Sequence, residues 1–462
     1  MNAIILSAIW GVIMMFGGVF FKKRNTPSYM AIAGVSIILV ANVLEFFGYS
    51  IFTFNTRDML HFDKFTLHFN TVALFCSLLF FLLSGRDIEK IGIHVSEYFC
   101  LIFFVLCGVF ISSSFNTLLL FFLGIEIMSI PLYILTGSNK LNLKGNEAAL
   151  KYFLMGAFST GLMLMGIALI YGGNPQGSFY ITNINLGTGD LSPLMAAGIV
   201  LIVISLSFKV SAAPFHFWAP DVYDGAPAVI TSFMMTIVKI AGFIAFIRLF
   251  SISFGAMQVQ WQTLIVFITA ATLLIGNITA VFQQSVKRML AYSSISHAGF
   301  MMLAVFALNE TAHDAIILYA AAYSIATIGF FAILIRMKDY SISGFNGLGK
   351  SQPLLGFTAT IFLLSLAGIP LTAGFTAKFY VIMAALQTGH DIWLVVLAVL
   401  CAVIGVVYYF KVIQAIYFKE PDNNDNQNIA VTTGYRILLL ITVGLIILLG
   451  ILPGVVIDWL YY

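Results

Sequence analysis

Apolar residues in this chain come in long stretches, and the polar ones gather in the gaps between them. About 20 apolar residues make one helical membrane crossing. Fourteen such runs are found, at 3–21, 29–48, 66–84, 97–113, 116–136, 148–171, 192–217, 227–250, 262–282, 289–308, 313–335, 353–388, 392–417 and 434–457. The twelfth is long and interrupted. The pattern predicts an all-α integral membrane protein of about 14 transmembrane helices, with no room left for a soluble domain.

Composition agrees. Of 462 residues 61% are hydrophobic and 9% charged, against roughly 25% charged in soluble globular domains. The first run is followed by Lys22, Lys23 and Arg24, the reverse of a signal peptide, and reads as a permanent span. Cys76, Cys100, Cys107 and Cys401 lie singly in apolar runs, which predicts small buried side chains and neither a disulfide framework nor an iron–sulfur site. No glycine-rich nucleotide loop, metal-ligand spacing or nucleophile–base pair is present. The 44 Phe and 18 Met residues read as lipid-facing and helix-packing groups.

The net charge of +3 says little, but its distribution says more. Placing Lys22, Lys23 and Arg24 inside also places Arg86, Lys90, Lys140, Lys144, Lys287, Arg288, Arg336, Lys338, Lys350 and Lys419 inside, as the positive-inside rule requires. The loops 172–191, 253–261, 309–312 and 389–391 carry no cation, and the 49–65 loop, with Arg57 and Lys64, is the exception. Both termini are then expected on the outer side.

Transporters often contain inverted repeats with interrupted helices. Here the seventh run carries Lys209 shortly before Pro214, and the twelfth carries Lys378 beyond Pro370, 169 residues later. Lys239 answers to Lys411 at an offset of 172, and a similar offset from Glu126 reaches His297. Two five-helix units follow, spans 4–8 and 9–13, the second inverted. The expected organisation is 1–95, three helices; 96–255, the first unit; 256–420, the second; and 421–462, a last helix. Each interior proline frees the carbonyl four residues back, those of Val210 and Leu366, for water or a side chain. Broken backbone at this depth is tolerated only within protein or beside a hydrated cavity.

Charged residues inside the runs carry the candidate chemistry, because a charge at the bilayer centre costs about 3 kcal/mol even on lenient scales. Glu126 lies about ten residues into span 5, and Lys209 is its natural partner. Such a pair would form a two-residue proton switch, with a fixed pair that merely orients helices as the alternative. His216 would share a face with Lys209 were the helix continuous, and reads as a relay or as a hydrogen-bonded structural group. Lys239 and Lys378 have no plain acidic partner. Lys411 lies near the inner edge, where snorkelling competes with function. Lys151 reads as facing either Glu126 or the interface, and Glu45 has no assigned cation.

The segments LGIEIMSIPLYIL, EAALKYFLMGAFSTG, FKVSAAPFHFWAPDVYDGAPAVITSFMMTIVKIAGF, VKRMLAYSSISHAGF and SLAGIPLTAGFTAKFY resemble the antiporter-like membrane subunits of proton-pumping NADH-quinone oxidoreductase, respiratory complex I. The similarity covers residues 95–420. The PDVYDGAP loop from Pro220 to Pro227, Lys378 in the broken span and the end of the chain soon after span 14 resemble the subunit N group, since one sister subunit carries glutamate at the Lys378 position and the largest has a further lateral helix.

The resemblance implies that Glu126 and Lys209 are a coupling pair, Lys239 the central relay lysine and Lys378 the relay lysine toward the outer side. Lys151, His216, His297 and Lys411 would support the path. It also implies no cofactor in this chain, with NADH, flavin, iron–sulfur clusters and quinone belonging to partner subunits. The expected partners are sister antiporter-like subunits, small membrane subunits and the lipid of a bacterial inner membrane, with no nucleic acid. The competing readings are a subunit of a multi-component sodium/proton antiporter and a non-conducting scaffold. Aligned intramembrane charges argue against the scaffold.

Overall fold

The computed structural model of the chain describes residues 1–20, 25–184, 192–420 and 431–454. The triplet Lys22, Lys23 and Arg24, part of the 172–191 loop and the end of the last apolar run lie outside the described residues. The chain opens with α1 (Asn2–Phe20), α2 (Thr26–Phe46) and α3 (Lys64–Ser84), followed by α4 (Val95–Ser114), α5 (Leu118–Thr136) and α6 (Leu143–Gly173). The seventh run folds as α7 (Pro193–Lys209), a non-helical stretch and the short α8 (Trp218–Gly225).

The eighth run is α9 (Ala228–Phe233) joined to α10 (Lys239–Ser253) by a π-helical turn at Met234–Val238. Then come α11 (Gln258–Val281), α12 (Val286–Ala307), α13 (Glu310–Leu334) and the single turn α14 (Leu348–Ser351). The twelfth run is α15 (Pro353–Ala367) and α16 (Ala373–Leu386), and the chain continues through α17 (Ile392–Phe418) and α18 (Thr433–Ile451).

Among the described residues twelve helices are long and apolar enough to cross a membrane, and the runs at 192–217 and 353–388 are built from shorter pieces. Helix starts follow local chemistry: Asp63, Thr117, Asn142, Ser192, Ser285, Asn309 and Thr432 each accept a backbone N–H of the following turn. These caps satisfy donors that a helix leaves unpaired at its N-terminus.

Burial sorts the helices into an inner and an outer set. The helical stretch Ala228–Ser253, α12 and α13 are buried almost throughout, whereas α1, α2, α6, α17 and α18 keep most of their apolar residues outside. Phe16, Phe158, Val403 and Ile441 are exposed. That is the surface expected in lipid, where outward-facing apolar groups cost nothing and helices associate by close packing. Close packing is visible between α6 and α7, where a Cβ on Gly166 or on Gly198 would lie 2.9 Å from the other glycine's carbonyl oxygen. Ser159 and Ser205 are hydrogen-bonded at that contact. All four cysteines are free and buried.

Both proline-marked runs are broken. Helix α7 ends at Lys209, Ser211 takes a positive φ, and the Ala213 amide donates to Thr272 Oγ1 of α11 at 2.9 Å. Trp218 donates to the Phe208 carbonyl at 3.0 Å, closing the break from the other side. In the second break Gly368 (φ +84°) ends α15 and Leu371 (φ +70°) turns the chain into α16. The two carbonyls predicted to be freed both accept side chains: Val210 takes Ser211 Oγ at 2.6 Å and Leu366 takes Lys378 Nζ at 3.0 Å. The lysines sit on opposite sides of their breaks, Lys209 before and Lys378 after.

Candidate proton-translocation site

Three lysines lie in the interior, each held by uncharged acceptors. Lys209, the last residue of α7, donates to Ser129 Oγ at 3.0 Å and Thr160 Oγ1 at 3.4 Å, linking α5, α6 and α7. Lys239 follows the π-helical turn, is 1% exposed and donates to the Ser294 carbonyl at 2.8 Å and hydroxyl at 2.9 Å. Its ammonium also lies 5.7 Å from the centre of the Tyr223 ring. Lys378 reaches back from α16 to the last carbonyls of α15, Leu366 at 3.0 Å and Ala367 at 2.9 Å, and lies 4.9 Å over the Phe300 ring. Carbonyls at a helix C-terminus carry partial negative charge and favour a cation.

His297 of α12 stands between the last two lysines, near enough for the charges of Lys378 and Lys239 to act on it. Its Nδ1 lies 2.7 Å from the Tyr319 hydroxyl and its Nε2 3.2 Å from the Tyr409 hydroxyl, which also touches Ser293 Oγ. Both ring nitrogens thus meet a group able to give or take a proton. Isolated buried charges cost several kcal/mol each after relaxation. Two acceptors per ammonium offset part of that cost without the permanent charge of a carboxylate, so neither protonation state is locked.

The expected Glu126–Lys209 contact pair is corrected. Glu126 Oε1 is buried without a hydrogen-bond partner, and Lys209 is taken by Ser129, one turn further along α5. The two charges still act on each other across that gap. The reason is local: Lys209 caps the end of α7, where two hydroxyls lie closer than the carboxylate and need no desolvation of a second charge.

Lys151 does not face Glu126. It pairs with Glu147 at 2.8 Å and Asp221 at 2.9 Å at the end of the bundle, half exposed. Arg288 also reaches Asp221, at 3.2 Å. Burial alone would push the Asp221 carboxyl up, but the hydrogen bond and charge of Lys151 and the charge of Arg288 hold it below the usual carboxylate range. His216 is buried with Nδ1 unpartnered and packs on Phe217, outside any helix shared with Lys209. Lys411, partly buried, donates to the Val281 carbonyl at the end of α11 at 2.7 Å. Glu45 pairs with the Met1 amino group and accepts the Asn2 amide at 3.0 Å.

Four buried polar groups escaped the sequence reading. Lys287, read as a loop cation, is 4% exposed. Arg248, 2% exposed, donates to the Phe115 carbonyl, Thr66 Oγ1 and Asp63 near the other end of the bundle. Tyr319 and Tyr409 are the phenols on His297. No signal in the sequence marked Lys287, which is buried through its bonds to the end of α8. The tyrosines carried none either, Tyr319 lying in α13 and Tyr409 in α17.

A broken-helix bundle with a buried row of lysines, hydroxyls and a histidine defines the class: an antiporter-like integral membrane subunit. Residues 115–405 match the family profile described as NADH:quinone oxidoreductase/Mrp antiporter, TM. NADH-quinone oxidoreductase subunit N of Flavobacterium psychrophilum is 38% identical over 100% of both chains. Among solved structures, a chain of respiratory complex I from Thermus thermophilus with bound aureothin has TM-score 0.84 and 30% identity, covering 99% of this chain and 98% of that one. A chain of the membrane-bound sulfane sulfur reductase, an archaeal respiratory membrane complex, has TM-score 0.87 and 25% identity over 99% and 95%. The chain belongs to the NADH:quinone oxidoreductase/Mrp antiporter family, and within it to the subunit N group of NADH-quinone oxidoreductases.

Proposed function

We propose that this chain moves protons across a bacterial inner membrane as an antiporter-like subunit of a proton-translocating NADH-quinone oxidoreductase. The observation that supports it best is the row Lys209, Lys239, His297 and Lys378, the first half-buried and the others buried, each held by groups that tolerate loss of its proton. NADH, flavin, iron–sulfur clusters and quinone belong to partner subunits, as do the sister antiporter-like and small membrane subunits beside it. The end-to-end likeness to subunit N relatives favours this reading over a sodium/proton antiporter subunit.

A charge change arriving through the membrane arm acts first on Glu126 and Lys209, which sense each other across Ser129. Repulsion between successive ammonium groups then passes the disturbance to Lys239, His297 and Lys378, with water bridging the gaps. Moving one charge against 100 mV requires about 2.3 kcal/mol. A swing of about two pKa units, at about 1.4 kcal/mol each, is of that size. Units 96–255 and 256–420 act as two inverted halves, and both termini face the outer side.

The test is proton pumping and NADH-to-quinone electron transfer in membranes carrying Lys209→Ala, Lys239→Ala or Lys378→Ala, with assembly followed on native gels. Loss of both activities in an assembled complex is expected for each. Normal pumping in all three would return the chain to a scaffold role.

A further inference from the structure

Lys287 opens α12 next to Arg288, yet its side chain runs inward. The ammonium donates to the carbonyls of Asp224 at 2.7 Å and Ala226 at 2.5 Å, at the end of α8, and lies 5.8 Å from the Tyr340 ring. Tyr223, the neighbour of Asp224 on α8, is the residue whose ring lies over Lys239. Two buried lysines therefore flank the same turn of α8.

Beside this turn is a cavity of about 200 Å³ lined by Lys144, Glu147, Lys151, Asp221, Asp224 and Arg288. It holds three carboxylates, and those of Asp221 and Asp224 are 39% and 32% exposed. Further along, α12 supplies a track. Ser294 lies two turns beyond Lys287 on the same face, about 10 Å away along the axis, and it is Ser294 that holds Lys239. His297 follows three residues later, a neighbour on the helix surface.

We infer that this cavity is the inner-face proton uptake port, and that Lys287 is the first buried group to carry a proton from it toward Lys239. The inference rests on the relay reading above. A proton from a cavity carboxylic acid or hydronium ion binds the neutral Lys287 amine, and the ammonium then releases it through water to the neutral Lys239 amine. Each donor returns to its starting state and no electron moves.

The competing role is a fixed ammonium that only ties α8 to α12. Arginine separates the two, because guanidinium can donate to carbonyls but does not give up its proton in proteins. In membranes carrying the assembled complex, Lys287→Arg and Lys287→Met are both expected to lower proton pumping and electron transfer several-fold, with normal assembly on native gels. Full pumping in Lys287→Arg would overturn the inference and leave an anchor.

Lys239→Met measured alongside keeps the two readings apart. If it too pumps normally, the relay itself fails; if it is defective while both Lys287 variants pump normally, the relay stands and uptake lies elsewhere. Asp224→Asn leaves the backbone carbonyl in place and guards against misfolding of the lysine variants. It is expected to depress pumping most at alkaline pH, where proton supply limits, and an unchanged pH profile counts against the port.

Discussion

At the scale of single residues, the Arg248–Asp63 pair shows how a charge is held without belonging to the path. Arg248 Nη1 lies 2.9 Å from Asp63 Oδ2, and Asp63 also caps α3 through the Thr66 amide. Burial alone would raise the Asp63 carboxyl, but the Arg248 charge and the Thr66 hydrogen bonds outweigh it and hold it below the usual carboxylate range. A depressed native value stabilises the fold above the ordinary carboxylate pKa and loses that contribution as pH falls through the native one. Asp63→Asn is therefore expected to lower the thermal stability of the purified complex in detergent by about 2 kcal/mol at neutral pH, the size of a hydrogen bond to a charged group. The gap from wild type should close below about pH 4. A constant gap across pH would mean that the cap, and not the ion pair, carries the effect.

At the scale of elements, the second break is tuned around Lys378. A Cβ at Gly368 would lie 2.8 Å from Lys378 Cδ, and one at Gly374 only 1.7 Å from the Ser365 carbonyl oxygen. Gly368 also needs its positive φ, which costs a non-glycine residue about 1–3 kcal/mol. Gly368→Ala should assemble yet pump poorly, because the lysine must leave its carbonyls, whereas Gly374→Ala should reduce assembly itself by forcing α15 and α16 apart. Native gels and pumping assays on the two variants distinguish these outcomes, and wild-type pumping in Gly368→Ala would show that the lysine's position at the break does not matter.

The helices and both breaks were legible in the sequence because a membrane crossing has a fixed length and a proline an unavoidable cost. The π-helical turn before Lys239 was not, since no residue type marks it. Depth singled out Glu126 and Lys209, but depth cannot say that Ser129 comes between them. Lys287 was hidden by its neighbour: next to Arg288 it read as one more loop cation, and only the position of α8 buries it.

At the scale of the whole molecule, charge is sorted twice, between the two ends and between centre and rim. The end-to-end asymmetry predicts labelling. With a membrane-impermeant maleimide, Lys338→Cys should react in inverted vesicles and His390→Cys in right-side-out ones; the opposite result would reverse the proposed orientation. The radial asymmetry sets where mutations are tolerated. Polar substitutions on the exposed faces of α6 or α17 are expected to disturb insertion, while those on α10, α12 and α13 are expected to disturb the buried row of lysines and His297.

The grip of Lys378 on the last carbonyls of α15 has a volumetric consequence. On the relay proposed above, each loss of a proton leaves the oxygens of Leu366 and Ala367 with a neutral amine, a weaker donor than the ammonium. Water entering the break would add the donor strength that is lost. Protonation and hydration around Lys378 would then be coupled, and each turnover would draw solvent in and out. A non-permeant osmolyte that withdraws water should slow proton pumping at that step, and an unchanged pumping rate would separate hydration from the protonation of Lys378.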